Sequence, residues 1–353
     1  MAADSFAQNA AAPHYASQPR SRIRLDEDTS RGVVTDICST ADYIVVTLDN
    51  EKTHVFDGEG HERMILYAHA TVWSTAIWEE TLVTGAVGGD IRVWNLESGQ
   101  KLQKLTGHTA TVRQIKMLDA NTAVSSSREG SLRIWDLAQG TCKQILEGHT
   151  GTVRALAVVG DIIVSASYDT TVRLWSIAQG SCLHILHGHN DAVYHVVFDG
   201  KRIATGSADK SIRIWDPTTG ACIAVLQAHE ALVSQLDLQN GILTSAASDG
   251  SICAWHLDGA EGSISVIYKI PGHANSVTSL QVRDGKIYSG SSDGDVKVWN
   301  AQDGTLVGQI GSTANAIWRV VSRSNKVVVL ASRNNECLME IWDYAQERSC
   351  NPT

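Results

Sequence analysis

An all-β ring of eight propeller blades is the fold this sequence predicts, and three observations carry it. A tryptophan closes each of seven successive units, at Trp94, Trp135, Trp175, Trp215, Trp255, Trp299 and Trp342, with spacings of 41, 40, 40, 40, 44 and 43 residues. Inside each unit, short runs of alternating apolar and polar residues are punctuated by Gly- and Asp-containing turns, the pattern of short antiparallel strands. A degenerate copy without the tryptophan, Val33 to Asp57, stands ahead of the seven. A period in the forties, with Gly-His near the start and Trp-Asp near the end, marks a blade-forming repeat of the WD40 kind.

Taken in order, residues 1–20 read as a disordered Ala-rich leader: they lack the apolar core of a secretory signal, and Asp4 with the following LDED argues against a transit peptide. Three-strand units then run Val33 to Asp57, Val72 to Asn95, Val112 to Asp136, Val153 to Ser176, Val193 to Asp216, Val233 to His256, Val277 to Asn300 and Ile317 to Asp343. In the fourth, VRALAVV, IIVSAS, TVRLWSI and CLHIL read as strands a to d. Seven units are followed by a strand d, but only YAQERSCNPT follows Asp343. Arg22-Ile23-Arg24-Leu25 is therefore expected to supply the eighth outer strand and close the ring, removing two exposed edges. The propeller is expected over 21–344 as one domain, with 345–353 a short tail.

The net charge of −9 and pI of about 5.8 exclude a nucleic-acid binder held by bulk charge. No apolar run is long enough to span a bilayer, so no membrane partner is expected, and the chain is expected to be soluble and intracellular. The seven cysteines include no C-x-x-C, and Cys142, Cys182 and Cys222 recur at intervals of 40, which makes them packing residues rather than metal ligands or a disulfide frame.

Ten residues before the tryptophan, units two to seven carry a hydroxyl: Thr84, Ser125, Ser165, Thr205, Ser245 and Ser289. Six before it, units three to seven carry an acid, Glu129, Asp169, Asp209, Asp249 and Asp293, and these units open on His108, His149, His189, His229 and His273. Such His, Ser/Thr, Asp, Trp sets read as an internal hydrogen-bond network, because five copies at one structural position are scaffold and a nucleophile needs one distinct exposed site. No catalytic residue, metal site or cofactor is predicted. Basic residues two before the tryptophan, Arg92, Arg133, Arg173, Arg213 and Lys297, also recur and read as stems along a neighbouring strand with their heads in water.

Two offsets vary from blade to blade. The position after the first valine of strand a reads Trp73, Arg113, Arg154, Tyr194, Ser234, Thr278; the position seven before the tryptophan, in the b–c turn, reads Val87, Arg128, Tyr168, Ala208, Ser248, Ser292. Both belong on one rim around the central channel, where they gather three arginines and three aromatics on blades 2 to 5. Like charges and exposed aromatics are costly together without a partner, and a guanidinium fork matches phosphate bidentately. The predicted ligand is a phosphorylated peptide, with Trp73 and Tyr194 offering apolar pockets beside the phosphate. The competing reading has these arginines paired with acids such as Glu129 or Asp191.

GHTATVRQIKM, SSSREGSLRIWD, GHTGTVRALAV, SASYDTTVRLW and DAVYHVVFDGKRIATGSADKSIRIWD resemble the propeller of the F-box/WD40 substrate receptors of SCF ubiquitin ligases, in the subfamily that reads phosphodegrons. The resemblance runs from about Arg22 to Asp343. It implies that phospho-Ser/Thr-Pro degrons are bound by Arg113, Arg128 and Arg154, with Arg319 of NAIWRVV lining the channel and Trp73, Thr111, Tyr168 and Tyr194 as neighbours. It implies residence in the nucleus or cytoplasm. The family's F-box, which binds Skp1, has no match in the Ala-rich residues ahead of the first blade. The chain is therefore expected either as a product lacking it or as a free-standing propeller, with Skp1 a partner only if an F-box lies upstream. Val87-Gly88 replaces the hydroxyl and acid that the family tends to place in the second blade. The alternative function is a WD40 scaffold of a splicing, transcription or signalling complex.

Overall fold

The computed structural model describes residues 18–25, 32–258, 263–323 and 325–343. Most of the expected leader and the whole expected tail lie outside the described residues. The described strands form eight four-stranded antiparallel sheets, and in seven of them the strands follow one another in chain order from a to d. The inner strands are Val34–Ser39, Val72–Trp78, Val112–Asp119, Val153–Val159, Val193–Phe198, Val233–Gln239, Val277–Arg283 and Ala316–Arg323. Each touches the inner strand of the next blade, and the last touches the first, so the ring is closed.

Closure follows the expected route. Ser21–Arg24 pairs antiparallel with Glu336–Asp343 as the outer strand of blade 8, in the register Ser21↔Ile341 to Arg24↔Leu338. Arginines alternate along this strand and all find carboxylates: Arg20 with Glu59 at 2.7 Å, Arg22 with Glu340 at 2.8 Å and Arg24 with Glu336 at 3.1 Å. Glu340 occupies the offset that is basic in five other blades. It is fully buried, and Arg333 donates to both its oxygens, Nε to Oε1 at 2.9 Å and Nη2 to Oε2 at 3.2 Å. A buried carboxylate needs such partners, since uncompensated charge in the interior costs several kcal/mol.

The core lies between blades. Trp175 of blade 4, for instance, packs with Val124, Leu132 and Ile134 of blade 3. Blade 1 has Phe56, fully buried, where the other blades have tryptophan. Its inner strand is registered on Val34, one residue later than the sequence reading: Val34 is buried, whereas Val33 is 44% exposed.

In blades 3 to 7 the repeated polar residues form the expected network. In blade 4 the Trp175 indole N–H donates to Ser165 Oγ at 2.9 Å, Ser165 meets His149 Nε2 at 2.8 Å, and Asp169 holds His149 Nδ1 at 2.7 Å. Blade 3 repeats this through Trp135, Ser125, His108 and Glu129 at 2.7 Å for each link. Burial lowers the pKa of each of the five histidines, so they are neutral at neutral pH; the carboxylate meets Nδ1 directly in blades 3, 4, 5 and 7, whereas in blade 6 His229 Nδ1 meets the Ser251 hydroxyl at 2.6 Å, which in turn donates to Asp249. The recurrent basic residues two before the tryptophan are not simply heads in water. The Arg133, Arg173 and Arg213 guanidinium groups lie 5.9–6.0 Å from the ring centroid of their own blade's tryptophan, and Arg133 and Arg213 also approach Cys142 and Cys222.

Candidate functional site

A β-bulge builds the site. In all eight blades the strand a–b register slips at one residue, and that residue is Thr35, Trp73, Arg113, Arg154, Tyr194, Ser234, Thr278 or Trp318. A bulge leaves a residue unpaired and re-aims its side chain. The first variable offset is thus the bulge position, which frees its side chain from the ladder. A second repeated bond brings the b–c turn beside it: the turn residue's N–H donates to the carbonyl just before strand a. It runs from Arg128 to Thr111 and from Tyr168 to Thr152, both at 2.9 Å.

The two offsets meet on blades 2 to 5. The Arg113 guanidinium stands 5.3 Å from the Trp73 ring centroid, and the Tyr168 and Tyr194 rings are 4.9 Å apart. Arg113 is half-buried. Burial pulls its pKa down, Arg154 and Arg128 repel it further, and a Tyr168 hydrogen bond opposes them. An arginine so placed stays charged, because its ordinary value is far above neutrality. Among the described residues no carboxylate lies within 4 Å of Arg113, Arg128 or Arg154. Glu129, the alternative partner, is bound instead to His108, Ser131 and the Thr109 hydroxyl, and its pKa falls to about 2. Asp191 accepts from the Ala192 N–H.

Thr111 enters through its carbonyl, which accepts the Arg128 N–H, and among the described residues its hydroxyl makes no hydrogen bond. Arg319 differs from the other arginines. In blade 8 the bulge residue is Trp318, so Arg319 belongs one residue deeper, in the layer of Asp36, Gln114, His195, Gln235 and Ser279. That layer stitches blades together. Asp36 accepts the Thr75 N–H and hydroxyl at 2.8 and 2.9 Å, Gln235 donates to Thr278 O at 3.2 Å, and Ser279 accepts the Val320 N–H at 3.0 Å. Arg319 donates Nη1 to Thr278 O at 3.0 Å. It still reaches the rim residues from below, because Trp73, Arg113, Lys116, Arg154, Arg319 and Asp36 line one cavity of about 480 Å³.

The sequence reading missed Asp36, Lys116 and His195. Tabulating the offset after the bulge would have exposed two of them, since Asp36, His195 and Arg319 are its only charged or titratable occupants. The repeated serines cannot act as nucleophiles: Ser125, Ser165, Ser245 and Ser289 have no accessible surface. Among the described residues no group of three or more His, Cys, Asp or Glu side chains is placed to hold a metal ion.

The sequence profile of the family described as "WD domain, G-beta repeat" matches residues 99–136, 140–176 and 180–216. This chain is a propeller of WD40 repeats. The matched repeats of the WD40 propeller contain Arg113, Arg128, Arg154, Tyr168 and Tyr194. A second profile, described as WDR54, matches residues 241–352. The "WD repeat-containing protein pop1" of Schizosaccharomyces pombe is 30% identical over 97 residues, which are 27% of this chain and 12% of that protein. The chain therefore matches only about an eighth of that relative's length. The crystal structure of the computationally designed Ika8 protein superposes with a TM-score of 0.80, at 26% identity, covering 89% of this chain and 96% of that one. Propellers of WD40 repeats are typically non-enzymatic scaffolds for protein partners.

Proposed function

We propose that the rim of blades 2 to 5 binds a phosphoserine or phosphothreonine segment of partner proteins, of the Ser/Thr-Pro kind, and so recognises substrates for SCF-type ubiquitination. One observation carries the reading: Arg113, Arg128 and Arg154 converge with no carboxylate of the described residues within 4 Å, in a protein whose net charge is −9. A phosphate brings about −1.5 to −2 charges at neutral pH, which two or three guanidinium groups offset. Trp73 and the Tyr168–Tyr194 pair wall the arginines and would pack the flanking residues. The ligase limb rests on the resemblance of the motifs, and it requires an F-box to reach Skp1. Residence in the nucleus or cytoplasm belongs to the same reading.

The test is calorimetric titration with a phosphothreonine-Pro peptide and its unmodified twin. Preferential binding of the phosphorylated form, abolished by Arg128→Ala, is expected; equal binding of the two sinks the reading. A second reading, a scaffold for an unmodified protein, is favoured by the outer strands of blades 4 and 5. They expose Leu183, Ile185, Ile223 and Val225, each between 39% and 47% accessible. Binding of a partner that is indifferent to Arg113, Arg128 and Arg154 would select it.

A further inference from the structure

A second cavity lies toward the far ends of the inner strands, away from the bulges. It measures about 370 Å³ and is walled by blades 3 to 6. Met117, Val158, Phe198 and Leu238 each stand four residues past the bulge of their own strand, about 13 Å further along at the rise of an extended chain. With Val197 they line the cavity, and all five are only half-buried. Each packs against a blade core and still keeps accessible apolar surface. At the same offset blades 8 and 1 carry Ser322 and Ser39, so the apolar wall is an arc on one side of the ring.

Two charged groups share this wall. Lys116 is exposed, and among the described residues it makes no hydrogen bond and no ion pair within 4 Å. Asp237, on blade 6, is already engaged: Oδ2 accepts the Val282 N–H at 2.9 Å and Oδ1 accepts Gln239 Nε2 at 3.0 Å. Lys116 and Met117 also border the cavity beneath the rim, but Arg113, Arg154 and Arg319 do not line this one. An ammonium group without a counter-ion, set beside half-covered apolar surface, complements an anion that is apolar elsewhere. The charge meets the lysine, and the body covers the wall.

We propose that this cavity binds a small carboxylic acid with an aliphatic or aromatic body, its carboxylate on Lys116 and its body against Val158, Phe198 and Leu238. The volume suits one such molecule, since small-molecule sites begin at about 300 Å³ and are mostly apolar with a few fixed polar groups. A single carboxylate is selected, because Asp237 repels a second negative charge. The site stands apart from the rim reading and does not depend on it.

The experiment is titration of the full chain with phenylbutyrate, read by NMR from the methyl resonances of Val158 and Leu238, which line this cavity and not the one beneath the rim. A saturable shift of both is expected. Butyrate, which lacks the ring, should bind about tenfold more weakly. The neutral amide of phenylbutyrate should bind about fivefold more weakly than the acid. Lys116→Met should lose the preference for the acid over the amide, and Lys116→Arg should keep it. Lys116 holds nothing in place, so both variants should fold normally. Arg128→Ala, which tests the rim, should leave this affinity within about twofold, so the two sites can fail separately. Methyl signals that phenylbutyrate does not move, equal binding of acid and amide, or a Lys116→Met protein that still prefers the acid overturns the proposal.

Discussion

In each of blades 3 to 7 the opening histidine and the bulge residue stand five positions apart, and they behave oppositely. His108, His149, His189, His229 and His273 are buried, neutral and bound at both ring nitrogens, in five near-identical settings. Arg113, Arg154, Tyr194, Ser234 and Thr278 share one backbone geometry and almost nothing else. Identity of residue is needed where a closed hydrogen-bond set must be satisfied in the dark of the core. Where a bulge turns a side chain out toward the channel, the fold asks only for the backbone slip. The chemistry there is free to differ around the ring.

The largest test of this contrast is substitution on each side of it. Trp175→Ala removes a buried indole and its bond to Ser165, and should cost about 3–5 kcal/mol by chemical denaturation. Arg154→Ala, two strands away in the same blade, should leave the stability within about 0.5 kcal/mol. A large loss of stability in the second variant would break the division. Glu340→Ala strands Arg22 and Arg333 and should cost about 3 kcal/mol, with faster amide exchange along Ser21–Arg24.

Next in size, Arg113→Ala should weaken a phosphothreonine peptide by a factor of ten to about a hundred, a charge-assisted hydrogen bond contributing about 1.5–3 kcal/mol. The network should also report acid. His229 has its pKa lowered to about 4 in the folded chain, so its contribution is complete above the ordinary 6.5 and is lost as pH falls from there toward 4. Glu129 and Asp209 are lowered to about 2, so their contributions persist above their ordinary values and drain away as pH falls toward 2. The urea midpoint should accordingly drop between pH 7 and 5 and fall further below 4, and a flat profile would contradict the buried-neutral assignment. Smallest of all, Trp73→Leu should weaken the phosphopeptide about two- to fivefold, an exposed cation–π contact being worth about 0.5–1 kcal/mol.

The repeat made the ring, its eight blades, the His–Ser–Trp network and the closing strand legible in the sequence, because each is a recurrence or a gap in one. Arg319 was read as lining the channel, and it lines one cavity with Lys116 and Arg154. Counting from Ile317, as from the first valine elsewhere, puts Trp318 at the bulge. Glu340 was visible as an acid at an offset that is basic in five other blades, but its partner Arg22 lies 318 positions away and no spacing rule joins them. Lys116 and His195 escaped for a similar reason. They lie on the inner strands of different blades, so no local pattern links them.

That same separation gives the closing strand a kinetic meaning. Every other sheet is completed by residues that follow one another along the chain, and can pair soon after they are synthesised. Blade 8 alone must bring Ser21–Arg24 back to Glu336–Asp343, the pairing of longest range in the molecule. Contacts of such high order form late and slowly. During translation the arginine-bearing first strand must wait, unpaired, until the final blade emerges from the ribosome, and the ring acquires its last edge-to-edge bonds only then.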